Sequence, residues 1–481
     1  MYTRSLLTDL YELTMAYGYW RSGKVHDEAI FHLFFREEPF EGGYAIAAGL
    51  EEVVQFVRDF AFSGDDLEYL GTVTGNDGRR LFPEEFLHHL RDLRLECDID
   101  AIPEGTVVFA HEPLVRVRGP IAQAQILETA LLNMINFQTL IATKAARIVF
   151  AAGGDPVVDF GLRRAQGNDG ALSAARAAYI GGCAGTSNVL AGATYGIPVK
   201  GTHAHSWVMS FDHELEAFEK YAEVMPNNVL LLVDTYNTLE GVDHAIEIGR
   251  SLRKRGYELM GIRLDSGDLA YLSIEARKRL DAAGFEKAVI AASNDLDEYL
   301  IQSLKDQGAA ITFWGVGTRL ITAFDQPALG GVYKLAALRS QGGQWEHRLK
   351  VSEQTAKIST PGMLQVRRFA RDGEAAGDMI YDELIAERSR TIVDPLDLTH
   401  RKTFEAEARS EDLLVPVFRR GQCVYELPSL DAIRARRERD FAHFHTGIKR
   451  FVNPHRYPVG LEQHLFDLKT RLILGSRGAQ V

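Results

Sequence analysis

The chain has 481 residues, 46% of them hydrophobic, and a formal net charge of −12. Single cores stop growing near roughly 250 to 300 residues, so more than one domain is expected. The acidic balance repels nucleic acid and phosphates at long range, no basic block interleaved with aromatics marks a nucleic-acid groove, and no apolar run nears the roughly 18 residues that span a bilayer. Three cysteines, Cys97, Cys183 and Cys423, show no paired spacing, which argues for a reducing compartment and against a disulfide framework or zinc knuckle. The start, Met1 to Asp9, lacks a charged-then-apolar secretory pattern. We therefore expect a cytoplasmic protein with neither membrane nor nucleic acid among its partners.

In chain order, residues 1 to about 100 read as helix, strand and helix: Thr8 to Tyr19, Ala29 to Phe35 and Gly49 to Phe60. Gly105 to Phe109 and Leu114 to Val117 follow, divided by a Glu-Pro turn, and their period-two alternation predicts a half-exposed sheet. A long apolar helix, about Ala122 to Ala152, leads into a region where strand and helix alternate. Short, wholly apolar strands are buried on both faces, so this sheet is expected to be parallel. Its strands end in polar tips: Asp159-Phe160-Gly161-Leu162-Arg163-Arg164, Gly201-Thr202-His203-Ala204-His205, Asp234-Thr235, Asp265-Ser266-Gly267-Asp268, Ser293-Asn294-Asp295 and Gly315-Val316-Gly317-Thr318-Arg319. Amphipathic stretches such as Val242 to Arg255 and Leu269 to Ala283 lie between the later strands. The spacing, about thirty residues, is that of a βαβ unit.

Beyond about residue 335 the alternation fails and the chain turns charged. Leu414 to Phe418 and Cys423 to Leu427 form a hairpin-like pair, and Leu430 to Arg450 reads as a basic-acidic helix with a solvated face. The expected architecture is an incomplete or irregular TIM-like α/β barrel plus a smaller α+β domain built from both chain ends. We divide it as an amino-terminal α+β domain over 1–120, a catalytic barrel over 121–335, and a segment over 336–481 packing partly back on the amino-terminal domain.

In a closed barrel all these tips would meet on the carboxyl rim, where such barrels do chemistry. Singly, each tip has a plainer reading: Asp265 or Ser266 as a cap on the next helix, Arg164 or Arg319 as a salt-bridge partner of acidic neighbours, Tyr11 as packing on its own helix beside Leu7 and Met15. Together, an aromatic face (Phe160), guanidinium groups (Arg163, Arg263), a hydroxyl (Thr202), imidazoles (His203, His205) and paired acids (Asp265, Asp268) suit a flat anionic aromatic meeting a phosphorylated sugar. The acids would hold magnesium over a pyrophosphate or face a developing oxocarbenium charge.

Thr8 to Met15, Phe160 to Gly167, Thr186 to Gly192, Gly201 to His205, Leu264 to Asp268 and Gly315 to Thr318 together resemble nicotinate phosphoribosyltransferase, over about residues 3 to 370. The resemblance implies that nicotinate and 5-phosphoribosyl-1-pyrophosphate give nicotinate mononucleotide and pyrophosphate, on the salvage route to NAD. It further implies ATP as co-substrate, hydrolysed through a phosphohistidine, Mg²⁺, and a homodimer with shared active sites. Carried onto this chain, it makes His205 the phosphorylated nucleophile and sets Tyr11 across the dimer to stack on the pyridine ring opposite Phe160. Arg163, Thr202 and Arg263 would lie near nicotinate and Asp265 beside the ribose with Asp268 close by. Gly315, Gly317 and Thr318 would hold the 5-phosphate, and a neutral Asn188 would favour the acid over the amide substrate.

The rival of another class is a zinc hydrolase, because His203-Ala204-His205 mimics a His-x-His metal pair, but the later tips supply no further histidine in register. A non-enzymatic sensor would not need every proposed catalytic group, and quinolinate phosphoribosyltransferase would need more cations for a second carboxylate.

Overall fold

Runs such as Leu230 to Val233 and Val289 to Ala292 carry no polar side chain, so only a strand buried on both faces accommodates them. In the computed structural model, which describes residues 2–354 and 357–478, they form one parallel sheet. Its strands are β1 (Val157–Asp159), β2 (Gly185–Thr186), β3 (Leu230–Leu232), β4 (Gly261–Leu264), β5 (Val289–Ala292) and β6 (Phe313–Val316), in the order β2-β1-β6-β5-β4-β3. Every ladder in it is parallel. The sheet lies in a compact unit of residues 141–327, and the remainder, 1–140 with 328–481, makes a second unit.

Parallel sheet and alternating helices stand as expected, but the ladder does not close. One isolated parallel bridge, Thr186 to Val199, extends the sheet past β2. From there to β3 no backbone pairing exists among the described residues, because the chain at Lys200–Ala204 leaves extended pairing for an irregular turn into the short helix His205–Met209.

The helices after β3, β4 and β5 are Thr238–Lys254, Leu269–Ala282 and Glu298–Asp306. Each begins where a short polar side chain accepts from its free N–H groups: Asn237 from Leu239 and Glu240, Asp268 from Tyr271, Asp297 from Leu300. The strand tips therefore position the site and also start the helices.

The unit built from both chain ends was expected to be the smaller and is the larger, because the carboxyl-terminal stretch adds a six-stranded sheet of its own. Its seven-stranded antiparallel sheet joins Glu28–Phe34, Val115–Pro120 and Asp98–Ala101 to the late strands Val332–Arg339 and Val415–Arg419. Over Val115–Val117 the strand is buried on both faces rather than half-exposed: Arg116, on the face the alternation predicts as solvated, is buried against Asp100 and Glu383, and only Arg118 and Pro120 beyond it are partly exposed. The expected long helix is two, Ile121–Ile126 and Glu128–Ala152, meeting at Leu127. No helix among the described residues is long and apolar enough to cross a membrane.

Candidate active site

Just past the carboxyl ends of β3 and β4 lie Asp234 and Asp265, and Asp234 reaches the β4 loop. Asp234 is buried, and its Oδ2 accepts from the Asp265 N–H at 2.8 Å and the Ser266 hydroxyl at 2.6 Å. Its other oxygen, Oδ1, is buried with no hydrogen-bond partner and lies 4.0 Å from His205 Nε2. Asp265 Oδ2 lies 3.8 Å from the same nitrogen, and its Oδ1 accepts from the Ser293 hydroxyl at the end of β5. His205 Nδ1 sits 3.1 Å from Thr235 Oγ1. One imidazole nitrogen is thus held by a hydroxyl while the other faces two carboxylates.

Arg263, within β4, is largely buried; Nη1 donates to Thr202 Oγ1 and Nε has no partner. Burial pushes this guanidinium below its ordinary value, and Asp265 and Asp234 oppose the shift. His203, two residues before His205, points elsewhere. Its Nε2 accepts from the Leu232 N–H at 3.2 Å, and burial pushes it down to about 4, so the ring is neutral. With that lone pair spent, His203 and His205 cannot clamp one metal as a His-x-His pair, and among the described residues no cluster of three His, Cys, Asp or Glu side chains is placed to hold a metal ion.

The tip of β1 is organised by Asp159, buried, with one oxygen accepting from the Gly161 N–H and the other from the Thr186 hydroxyl, both at 2.7 Å. Burial raises its pKa. The Phe160 ring lies against Gly315 of β6, where an added Cβ would come within 2.5 Å of the ring, so only glycine admits this approach. Gly317 and Thr318 follow at the start of the short helix Thr318–Ile321. Arg163 is exposed after the β1 tip, on the short turn Leu162–Arg164. Asn188 is buried, and its Oδ1 accepts from the Ala191 N–H, capping Val189–Tyr195.

Arg319 resolves toward the plainer reading. Arg319 pairs with Asp297 at 3.2 Å and Asp325 at 3.7 Å, with its guanidinium over Phe324. Asp325 and Glu298 in turn hold the buried Lys144. The helix after β4 is indeed capped by an acid of this tip, but by exposed Asp268 rather than by Asp265 or Ser266. In the other unit, Tyr11 is exposed on the helix Leu10–Arg21, whose buried Glu12 accepts from Thr129 and Thr8.

Sequence reasoning noted Asp234, Thr235 and Ser293 only as members of strand tips and gave none of them a part in the site. The signal was present, since each directly follows an apolar strand or its first polar residue.

Three family models match the chain: the nicotinate phosphoribosyltransferase N-terminal domain over residues 6–136, the nicotinate phosphoribosyltransferase family over 156–366, and its C-terminal domain over 365–469. The chain is 44% identical over 474 residues to nicotinate phosphoribosyltransferase of Bacillus subtilis, covering 98% of this chain and 95% of that protein. The crystal structure of human nicotinic acid phosphoribosyltransferase superposes with a TM-score of 0.84 at 33% identity, over 97% of this chain and 99% of that one. A nicotinate-nucleotide pyrophosphorylase from Pyrococcus furiosus, at 22% identity and a TM-score of 0.69 over 91% and 96%, shares the fold. The chain belongs to the nicotinate phosphoribosyltransferase family and is, with it, an enzyme.

Proposed function

We propose that this enzyme transfers the phosphoribosyl group of 5-phosphoribosyl-1-pyrophosphate to nicotinate, on the salvage route to NAD. The observation that carries the reading is the cluster of Asp234 and Asp265, past the ends of adjacent parallel strands, with Arg263 of β4 and His205 at the start of the short helix His205–Met209. The pyridine nitrogen lone pair forms the C1–N bond as the C1–O bond breaks, and pyrophosphate leaves with the electron pair. No proton moves in this step, so the protein's task is positioning and charge. Positive charge develops on the sugar, and Asp265, beside the ribose, stabilises it. Arg163, Thr202 and Arg263 receive the nicotinate carboxylate, whose fork matches a guanidinium. Phe160 supplies one face for the ring. Gly315, Gly317 and Thr318 take the 5-phosphate, and Asp268 borders the sugar while capping its helix.

His205 takes the γ-phosphoryl group of ATP: a nitrogen–phosphorus bond forms, ADP leaves, and water later releases phosphate. Because Nδ1 is engaged by Thr235, Nε2 is the attacking nitrogen, as its approach to Asp234 and Asp265 supports. Magnesium bound with pyrophosphate would neutralise charge on the leaving group. Asp265, the more exposed of the two carboxylates, is the hard oxygen donor suited to it.

A homodimer belongs to the same reading, with Tyr11 stacking on the ring bound by the partner subunit. Its support is Tyr11 and Met15, four residues apart on the helix Leu10–Arg21 and each more than a third exposed. So does an incomplete barrel, supported by the Thr186–Val199 bridge that extends the sheet beyond β2. The cytosol is the proposed compartment, supported by three free cysteines. The test is direct: incubate with phosphoribosyl pyrophosphate, magnesium and either nicotinate or nicotinamide, with and without ATP. Nicotinate mononucleotide, increased by ATP, is expected, and a product from nicotinamide alone would overturn the assignment.

A further inference from the structure

We propose that His203 is a positioning residue whose imidazole replaces the ladder bond missing between β3 and the segment carrying His205. The proposal rests on the reading of His205 as the group phosphorylated by ATP.

β3 pairs with β4 on one side only. On its other side the Leu232 N–H lies in a fully buried residue, where an orphaned donor is destabilising because it has lost its bond to water. No backbone carbonyl reaches it; His203 Nε2 does, at 3.2 Å. For Nε2 to accept, the proton must sit on Nδ1, and that nitrogen is 3.4 Å from the Ala204 carbonyl oxygen, an acceptor. The ring is packed edge-on against Tyr221, at 4.8 Å between centroids, and near Phe218. Burial keeps it neutral, and the neighbouring Arg263 and His205 push in the same direction.

The placement gives this bond a consequence for the reaction. Asp234 and Thr235, which face the two nitrogens of His205, follow Leu232 by two and three residues, just past the end of the same strand. His205 follows His203 by two. The His203–Leu232 bond therefore fixes the separation of these two arms close to where they meet in the site. Thr202 gives a second tie, to Arg263, but that pair is assigned to nicotinate. Loosening the His203 bond should thus displace His205 from its partners while sparing the nicotinate contacts.

The experiment compares His203→Leu, which keeps bulk without an acceptor, with His203→Gln, whose amide oxygen extends to about the position of Nε2. His203→Asn, too short to reach, is the control if the leucine variant does not fold. Steady-state kinetics with nicotinate and ATP, phosphohistidine formation from labelled ATP in a single turnover, and hydrogen exchange of the peptide over 228–236 are measured on the full chain. We expect His203→Leu and His203→Asn to lose at least about tenfold in kcat and in phosphorylation rate, as small misplacements do. Their KM for nicotinate should stay within about twofold, and exchange at Leu232 should quicken. His203→Gln should recover most of both rates. Native-like kcat in His203→Leu or His203→Asn, equal damage in His203→Gln, or KM rising in step with the fall in kcat would each overturn the proposal. Absence of phosphohistidine in the unaltered enzyme would instead remove the reading of His205, and the contrast between Gln and Leu in kcat and exchange would still decide the role of His203.

Discussion

A single carboxylate oxygen shows how residues divide labour here. Asp234 spends one oxygen on the β4 loop and leaves the other buried, unpaired and facing His205. A buried unpaired acceptor is costly, and such cost is tolerated where function uses it. Asn188 allows a cleaner test of charge. Because its Oδ1 caps a helix, Asn188→Asp keeps an acceptor for the Ala191 N–H while adding a negative charge beside the proposed nicotinate pocket. We expect kcat/KM for nicotinate to fall by more than that for nicotinamide, with the melting temperature little changed; equal losses for both would refute the charge argument. The roles proposed for His205 and Asp265 come from the recognisable motifs in which they sit. Asp234 was harder to see: its neighbours Val233 and Thr235 resemble any strand end, and its importance comes from a loop contact 31 residues away.

At the scale of elements, the polar residues that end each strand sort into two sets. The first polar position, as in Asp234, Asp265 and Ser293, faces the site, whereas the residue just before the next helix, as in Asn237, Asp268 and Asp297, is its cap. Sequence periodicity located β3, β4, β5 and the helices after β3 and β4 to within a few residues, since burial on two faces and on one stripe leave different patterns. It could not tell cap from site, because Asp and Asn serve both. Asp268 separates the two roles by substitution. Asp268→Ala should cost about 1 kcal/mol through the lost cap, read as a lower melting temperature, whereas Asp268→Asn should retain stability. If Asp268→Asn also retains full activity, the charge of Asp268 has no part in binding substrate. The open edge of the sheet was likewise illegible, since Ile197 to Lys200 looks like any strand and only the turn at Gly201 to Ala204 keeps it from pairing on.

For the molecule as a whole, buried ionisable groups set how stability responds to pH. Glu38, in the unit made from both chain ends, accepts from the Ala110 N–H, and burial pushes its carboxyl up to about 8. Its folded pKa is raised, so between an ordinary carboxyl value and about 8 the folded state holds a proton that the unfolded state releases. Stability from this group therefore falls as pH rises across that window and is flat above it. Glu38→Gln removes the slope. Its melting temperature relative to the unaltered protein should climb between pH 5 and pH 8 and then level off; a difference independent of pH would show that Glu38 is ionised in the fold. The two-ended construction has a consequence of its own. Residues 141–327 are contiguous and can fold as they leave the ribosome, but Ile99 meets its sheet neighbours near Arg419 some 320 residues downstream. For most of translation the nascent chain carries an unpaired β edge, the kind of surface that chaperones shield and that aggregates when they do not.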